Sequence, residues 1–593
     1  MIPARLQALR EEMAKRNIAV YIVPTADFHE SEYVGDYFKA RKYITGFTGS
    51  AGTAVITMTE AGLWTDGRYF IQAAAQLEGT TVTLYKSGEE GVPTVEEYLE
   101  KTLQEHDVLG FDGRVVNNTW GKKLEAIVEK KNGSMAVDED LIDVIWRDRP
   151  ALSQEPVRVL ELAYTGKSTI DKIADVRAVM EEKGADVHLL TSLYDIAWLL
   201  NVRGNDIRYV PVVLSYLALT QTECIWFVQE EVITSELKAY LKENHVVTRP
   251  YNSYYDYVKT IASSAIVLMN QSVVNYRICN SLPEGIQVVD ELDPTVFMKS
   301  KKNEVELENT RKAHLKDAVA MCKFMYWLKN NVGKIPMTEI SASDYLEQLR
   351  REQEGCFDLS FDTICGYGAH GAIVHYAATP ETDVELKPEG LLLVDSGGQY
   401  LEGTTDITRT FALGPVSDEM KANFTRVLRS NMNLANVRFL QGCSGVNLDV
   451  LARQPLWEAN LDYKHGTGHG VGHVLNVHEG PNGFHWGRKA YVYPLEEGMV
   501  TTDEPGIYLE GQYGIRLENE LICCKGEKNE FGQFMHFETI TYVPMDLDAV
   551  DPALMNETEK KYLNAYHKCV YEKVAPLLTK EEAQWLKTYT REI

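Results

Sequence analysis

Nowhere in the 593 residues does an unbroken apolar run approach the roughly 20 residues needed to span a bilayer. A membrane-spanning helix is therefore excluded as an organising feature of the chain. Cysteine offers no scaffold either. Nine are present, an odd number that rules out complete intrachain pairing, and no C-x-x-C spacing occurs; the nearest two are the adjacent Cys523 and Cys524. This usage resembles a reduced, intracellular protein rather than a disulfide framework. Positive charge is short as well. Sixty Lys and Arg face 86 Asp and Glu, for a formal charge of −26. Such a surface repels phosphate backbones and anionic headgroups, so neither nucleic acid nor a membrane surface is an expected partner. The opening stretch MIPARLQALREEMAKRN is a charged amphipathic helix pattern with no apolar core of a secretory signal, and the expected location is cytoplasmic.

What remains is ordinary globular material: 45% apolar and 25% charged residues over a length that suggests three or four domains. The chain repeats itself weakly. LREEMAKRNIAVYIV from Leu9 lines up with VRAVMEEKGADVHLL from Val176, an offset of 167, and each copy reads as a helix ending near Asn17 or Gly184 followed by a buried strand. Two related α/β domains are expected, over residues 1–155 and 156–300, joined by the proline-bearing stretch Arg147 to Pro156. A charged segment, KSKKNEVELENTRKAH, then opens a long helix whose apolar stripe runs Leu315, Ala318, Cys322, Met325, Leu328. Beyond it the texture changes to short β runs between glycine turns, which defines a third domain over 301–545. The polar helical stretch 546–593 reads as a C-terminal extension without chemistry of its own.

Half of the fourteen histidines fall between His370 and His485. Clustering of a side chain so costly to bury unpaired points to a metal or acid-base site. A lone core histidine is more often structural, so the surroundings decide. LLLVDSGGQY puts Asp395 at the end of an apolar strand, and TTDITRT puts Asp406 within the next strand. A carboxylate at the end of a buried run needs a partner or a cation. HGTGHGVGHVLNVHEGP follows, and its glycines argue against a regular helix carrying His465 and His469. No H-E-x-x-H occurs, which excludes the zincin arrangement. MVTTDEPGIY places Glu504 where Pro505 must end or bulge a strand. GIRLENEL alternates, with Arg516, Glu518 and Glu520 on one face; an exposed strand would show the same pattern, and Glu520 is expected to be an outlying carboxylate.

Together Asp395, Asp406, His469, Glu504 and Glu518 make a hard, oxygen-rich donor set whose four negative charges balance two divalent cations. Such a set favours manganese or a similar ion, with zinc or cobalt as alternatives. Two ions so held would activate a bridging water or hydroxide and polarise a scissile carbonyl.

The motifs D-S-G-G, T-T-D-I-T-R-T, H-G-T-G-H-G-V-G-H, N-V-H-E-G-P, D-E-P-G-I-Y and G-I-R-L-E-N-E resemble the signature of the aminopeptidase P family, Xaa-Pro aminopeptidases of the pita-bread metallopeptidase fold. The resemblance extends to GFTGSAGTAVI, WTDGRYF and DIAWLLNVRGNDIRYVPV, and so covers nearly the whole chain in the long three-domain form. It implies a mixed α/β and α+β architecture with a C-terminal pita-bread catalytic domain, a homodimer, and peptides with proline second as substrates. It also implies roles: Asp395 on one metal, Asp406 and Glu518 bridging both, His469 and Glu504 completing the second. His478 would stabilise the developing oxyanion, His375 would line the scissile bond, and His465 the proline side. Tyr508 and Arg516 match pocket positions, whereas Asp503, His370, His473 and His485 have no ligand role. An Xaa-Pro dipeptidase would share every ligand, and the extra middle domain speaks against it. A binding module that has lost catalysis would have lost ligands, and all five are present.

Overall fold

A computed structural model describes residues 1–487 and 492–593. They form two compact units: Met1–Glu161 with Lys167–Thr295, and Leu162–Gly166 with Val296–Ile593. No helix among the described residues is long and apolar enough to cross a membrane.

The first unit bears out the internal repeat. Its first sheet runs, edge to edge, Thr83–Lys86, Ala61–Thr65, Thr53–Thr57, Val20–Pro24, Val108–Gly110, Ser134–Ala136. Its second runs Val246–Pro250, Cys224–Val228, Ser215–Thr220, Val187–Leu190, Ile266–Met269, Gln287–Asp290. The pairings follow the same sequence of parallel, antiparallel, antiparallel, parallel, parallel in both. In each copy the helix before the central strand, Ile2–Lys15 or Thr169–Glu182, buries a methionine completely, Met13 or Met180. Each helix then exits through a left-handed residue, Asn17 or Gly184 (φ 56° and 66°), the conformation that asparagine and glycine tolerate best.

The two copies also meet through equivalent segments. Val115-Val116-Asn117 and Val273-Val274-Asn275 pair antiparallel at the two asparagines. The Asn118 amide donates to the Val274 carbonyl at 2.9 Å, and the Tyr276 amide donates to the Val116 carbonyl at 2.8 Å. Each asparagine caps the helix that follows it. Reciprocal contacts of this kind are those of a two-fold interface.

The second unit is α+β, as expected. An antiparallel sheet runs Arg438–Leu440, Gly532–Thr539, Asn519–Asn529, Val500–Asp503, Gly468–Gly470, Glu479–Phe484. A smaller one joins Ile364–Tyr367, Leu391–Ser396 and Ile407–Ala412. The helix Glu304–Asn331 begins at a capping box made by Asn303 and Glu306 and lays Ala318, Cys322, Met325 and Leu328 into the core, as the stripe predicts. Helices Glu557–Val574 and Lys580–Tyr589 add Val570, Val574 and Leu586 to that same core.

Candidate metal centre

The site is built at the strand ends of the two sheets just described and in the breaks that adjoin them. Asp395 lies next to last in Leu391–Ser396 and is buried, with Oδ2 accepting from the Arg516 guanidinium at 2.6 Å. Its Oδ1 is also buried and has no hydrogen-bond partner among the described residues. Asp406 differs from the sequence expectation. It sits not within a strand but in the break between Gly403–Thr404 and Ile407–Ala412. The break frees its amide from the ladder, and the amide instead donates to Glu520 Oε1 at 2.8 Å.

His469 is carried by the short strand Gly468–Gly470, where flanking glycines allow close backbone approach: a Cβ at Gly468 would lie 1.9 Å from the Thr502 carbonyl oxygen. The imidazole Nδ1 donates to the Gly470 carbonyl at 2.9 Å, which fixes the tautomer and turns the Nε2 lone pair toward carboxylates. Asp406 Oδ2 is 3.5 Å from Nε2 and Glu504 Oε1 is 3.6 Å away. Glu504 follows the strand Val500–Asp503, which ends there as Pro505 requires. Glu518 is buried, with Oε2 accepting from the Thr408 hydroxyl at 2.7 Å. One donor atom each from Asp406, His469 and Glu518 falls within a mutual 4.8 Å, close enough to share an ion. Glu504 stands beside that cluster, and Asp395 is tied to Arg516.

Electrostatics points the same way. Burial, then the charge of Asp395, pushes Asp406 well above the ordinary carboxyl range. Burial pushes Glu518 up likewise, with Asp406, Glu504 and Asp395 adding to it. Glu504 is raised to about 7, chiefly by burial. Like charges gathered in a low-dielectric place resist ionisation together, and a divalent cation relieves precisely that strain. Oxygen donors plus one imidazole fit hard or borderline divalent ions, so the residues present suit two such ions.

Around this set lie the other histidines. His478 is half-buried, its ring edge-on to His469 with centroids 4.2 Å apart. The next residue, Glu479, is gripped by Lys302 at 2.5 Å and Lys299 at 3.7 Å, which anchors the His478 loop. His465 Nδ1 donates to the Gly466 carbonyl at 2.7 Å, leaving Nε2 to accept from the Tyr508 hydroxyl at 2.8 Å. That hydroxyl also accepts from Arg516 at 2.7 Å. Arg516 thus joins Asp395 to the Tyr508–His465 pair. Its Nη2 also lies 3.4 Å from the Val374 carbonyl, next to half-buried His375. The loop carrying His375 is held by buried Glu339, which accepts from His370, Tyr376 and the Tyr367 amide.

His370 is engaged with Glu339, His473 with Thr310 and the Tyr164 carbonyl, and His485 with the Gly487 amide. Asp503 is fully buried beside Glu504, and burial pushes its carboxyl well up.

Glu520 is not outlying: it is fully buried behind Asp406, because both faces of the Arg516–Leu521 segment are covered. His314 was not singled out in the sequence, yet its Nε2 lies 3.0 Å from Glu520 Oε2. Burial opposes its charge, but Glu520 and Asp317 outweigh that and hold it above the usual histidine range.

Models of the Creatinase/Prolidase N-terminal domain match residues 5–143 and 148–306. Metallopeptidase family M24 matches 308–524, and the C-terminal region of peptidase M24 matches 533–593. The chain is 38% identical to a probable Xaa-Pro aminopeptidase P of Paracoccidioides brasiliensis (strain Pb03), over 99% of both. It is 37% identical to aminopeptidase P2 of Arabidopsis thaliana, over 100% of this chain and 88% of that one. Among solved structures, an X-prolyl aminopeptidase of Caenorhabditis elegans, described as a cytosolic enzyme with a di-nuclear active site, superposes with a TM-score of 0.95. It is 34% identical, with all of both chains covered. The prolidase of Pyrococcus horikoshii shares the fold alone, at 22% identity and a TM-score of 0.50 over 64% of this chain.

Proposed function

Since this chain belongs to the Xaa-Pro aminopeptidase P family and is a metal-dependent aminopeptidase of it, we propose how its residues divide the work of releasing the first residue from peptides with proline second. The observation that carries the reading is the meeting of Asp406, His469 and Glu518 donor atoms within 4.8 Å, with Glu504 and Asp395 adjoining. Asp395 would hold one ion, Asp406 and Glu518 would bridge both, and His469 with Glu504 would complete the second. Two divalent ions held there would supply a Lewis acid for the scissile carbonyl and would activate a water, a bridging hydroxide in this reading, as nucleophile.

The chain's own groups do the rest. His478 donates a hydrogen bond to the carbonyl oxygen as it gains charge, from a loop fixed through Glu479. Arg516 aims Asp395 through its 2.6 Å hydrogen bond and orients Tyr508. His465 and Tyr508 form the wall facing proline, and His375 borders the scissile bond. Manganese is the ion the donor set favours, with zinc and cobalt next.

We read the chain as four segments, 1–155, 156–300, 301–545 and 546–593, acting in the cytoplasm as a homodimer. The exposed tryptophans Trp457 and Trp486, at 41% and 55% and in edge-on contact, support an apolar protein interface. The functional test is a matched peptide series. Xaa-Pro-Yaa should be cut at the first bond, Xaa-Ala-Yaa far more slowly; equal rates on both would overturn the substrate assignment. Exclusive cleavage of the dipeptide Xaa-Pro would make the enzyme a dipeptidase.

A further inference from the structure

We infer that Glu520, braced by His314, is a positioning residue that sets the two bridging carboxylates in register. The inference rests on the reading of Asp406 and Glu518 as ligands, and it adds a layer that the ligand set does not contain.

The two bridging residues come from segments more than a hundred positions apart, and one of them lacks ladder support. Asp406 lies in a break between strands, so its amide has no sheet partner. Glu520 supplies one: Oε1 accepts that amide at 2.8 Å. Glu520 stands two residues after Glu518 on the same run, so one segment offers a carboxylate to the ions and grips the backbone of the other bridging ligand. A second tie closes the frame, with the Glu518 amide donating to the Thr408 carbonyl at 3.0 Å.

A buried carboxylate so near other carboxylates needs compensation. His314 provides it as an ion-pair partner from the helix Glu304–Asn331, its Nε2 3.0 Å from Glu520 Oε2 but off the line of a hydrogen bond, with both side chains almost wholly enclosed. From the other side the Thr541 hydroxyl accepts from the Glu520 amide at 2.8 Å, fixing the strand from which the side chain extends. The long helix is thereby tied to the metal centre through one side chain.

Groups that orient metal ligands are typically worth about 10- to 100-fold in metal affinity or activity. The test compares Glu520→Leu, which removes the acceptor, with Glu520→Gln, which keeps a carbonyl oxygen for the Asp406 amide. Cobalt(II) is titrated into metal-free protein, and its visible spectrum, its affinity, kcat and KM are recorded. Glu520→Leu should weaken cobalt binding about 10-fold or more, change the spectrum and lower kcat with KM within about twofold. Glu520→Gln should recover most of the affinity. A merely structural residue would lower the melting temperature and leave spectrum and affinity alone, and that result overturns the inference.

Should Glu520→Leu fail to fold, His314→Leu decides instead. Weaker cobalt binding supports the bracing role and unchanged binding contradicts it. Glu518→Ala is measured in parallel. If it keeps both ions, the ligand assignment itself has failed; if it loses metal while Glu520→Leu binds as the parent does, only the present inference has failed.

Discussion

Glu504 is held up to about 7 by burial above all; His469 and Arg516 pull it down, and Asp406 and Asp395 push it up again. Asp406 and Glu518 move in the same direction. In the metal-free protein these groups keep protons that the unfolded chain has already released. Between the ordinary value of 4.5 and about 7 the folded state binds more protons, so stability is fully present below that window and is lost as pH rises through it. For Glu504 alone the change is about 3 kcal/mol. Chelated protein should therefore melt lower at pH 8 than at pH 5.5 in calorimetry, and saturating divalent metal should remove the trend, because metal takes the deprotonated carboxylates. A chelated protein that gained stability over this range would contradict the crowded-carboxylate picture. His478 makes a separate prediction. Its ring borders His469 without belonging to the donor cluster, so His478→Ala should keep its metal and its melting temperature. Loss of one oxyanion donor should lower kcat about 100- to 1,000-fold. Metal analysis, melting and kinetics on one preparation separate the roles: lost metal would make it a ligand, and unchanged kcat would remove it from the reaction.

The glycines around His469 act at the level of the strand. A Cβ at Gly468 would stand 1.9 Å from the Thr502 carbonyl oxygen, and one at Gly470 would stand 2.2 Å from the Glu479 carbonyl oxygen. Neither backbone can yield without moving the strand that ends at Glu504 or the loop that bears His478. Gly468→Ala should accordingly lower both melting temperature and metal content, whereas Gly442→Ala, at a positive φ but in open space, should lower stability only modestly. Equal effects of the two on bound metal would show that close approach at Gly468 does not matter to the site. The same strands show what the sequence makes legible. The methionine-helix-strand repeat, the apolar stripe of the long helix and the end of the strand before Pro505 all follow from periodicity and turn chemistry, which act locally. Asp406 could not be placed outside its strand, because TTDITRT alternates well enough to read as one run and only the tertiary arrangement interrupts it. Glu520 and His314 were hidden for a related reason. A charged residue in an alternating strand, or a polar residue in a long helix, reads as solvated unless the covering layer is known. Lys302 likewise looks like part of an exposed basic run, yet its side chain is 2% exposed against Glu479.

At the scale of the whole molecule, two related α/β domains form one compact unit and the α+β catalytic domain with its C-terminal helices forms the other. The residues themselves group Asp395, Asp406, His469, Glu504 and Glu518 as a donor set, and the family resemblance adds which of them would serve which ion. The geometry now sets Asp406, His469 and Glu518 around one point and lines up Glu504 and Asp395 beside them. The central claim is that this group of side chains works only when it holds two divalent ions. The most direct measurement titrates Mn²⁺ into metal-free protein while bound metal per chain and cleavage of an Xaa-Pro-Yaa peptide are followed together. The account predicts negligible cleavage without metal and a rate that reaches its plateau at about two ions per chain. Full activity in a preparation verified to be metal-free would contradict it.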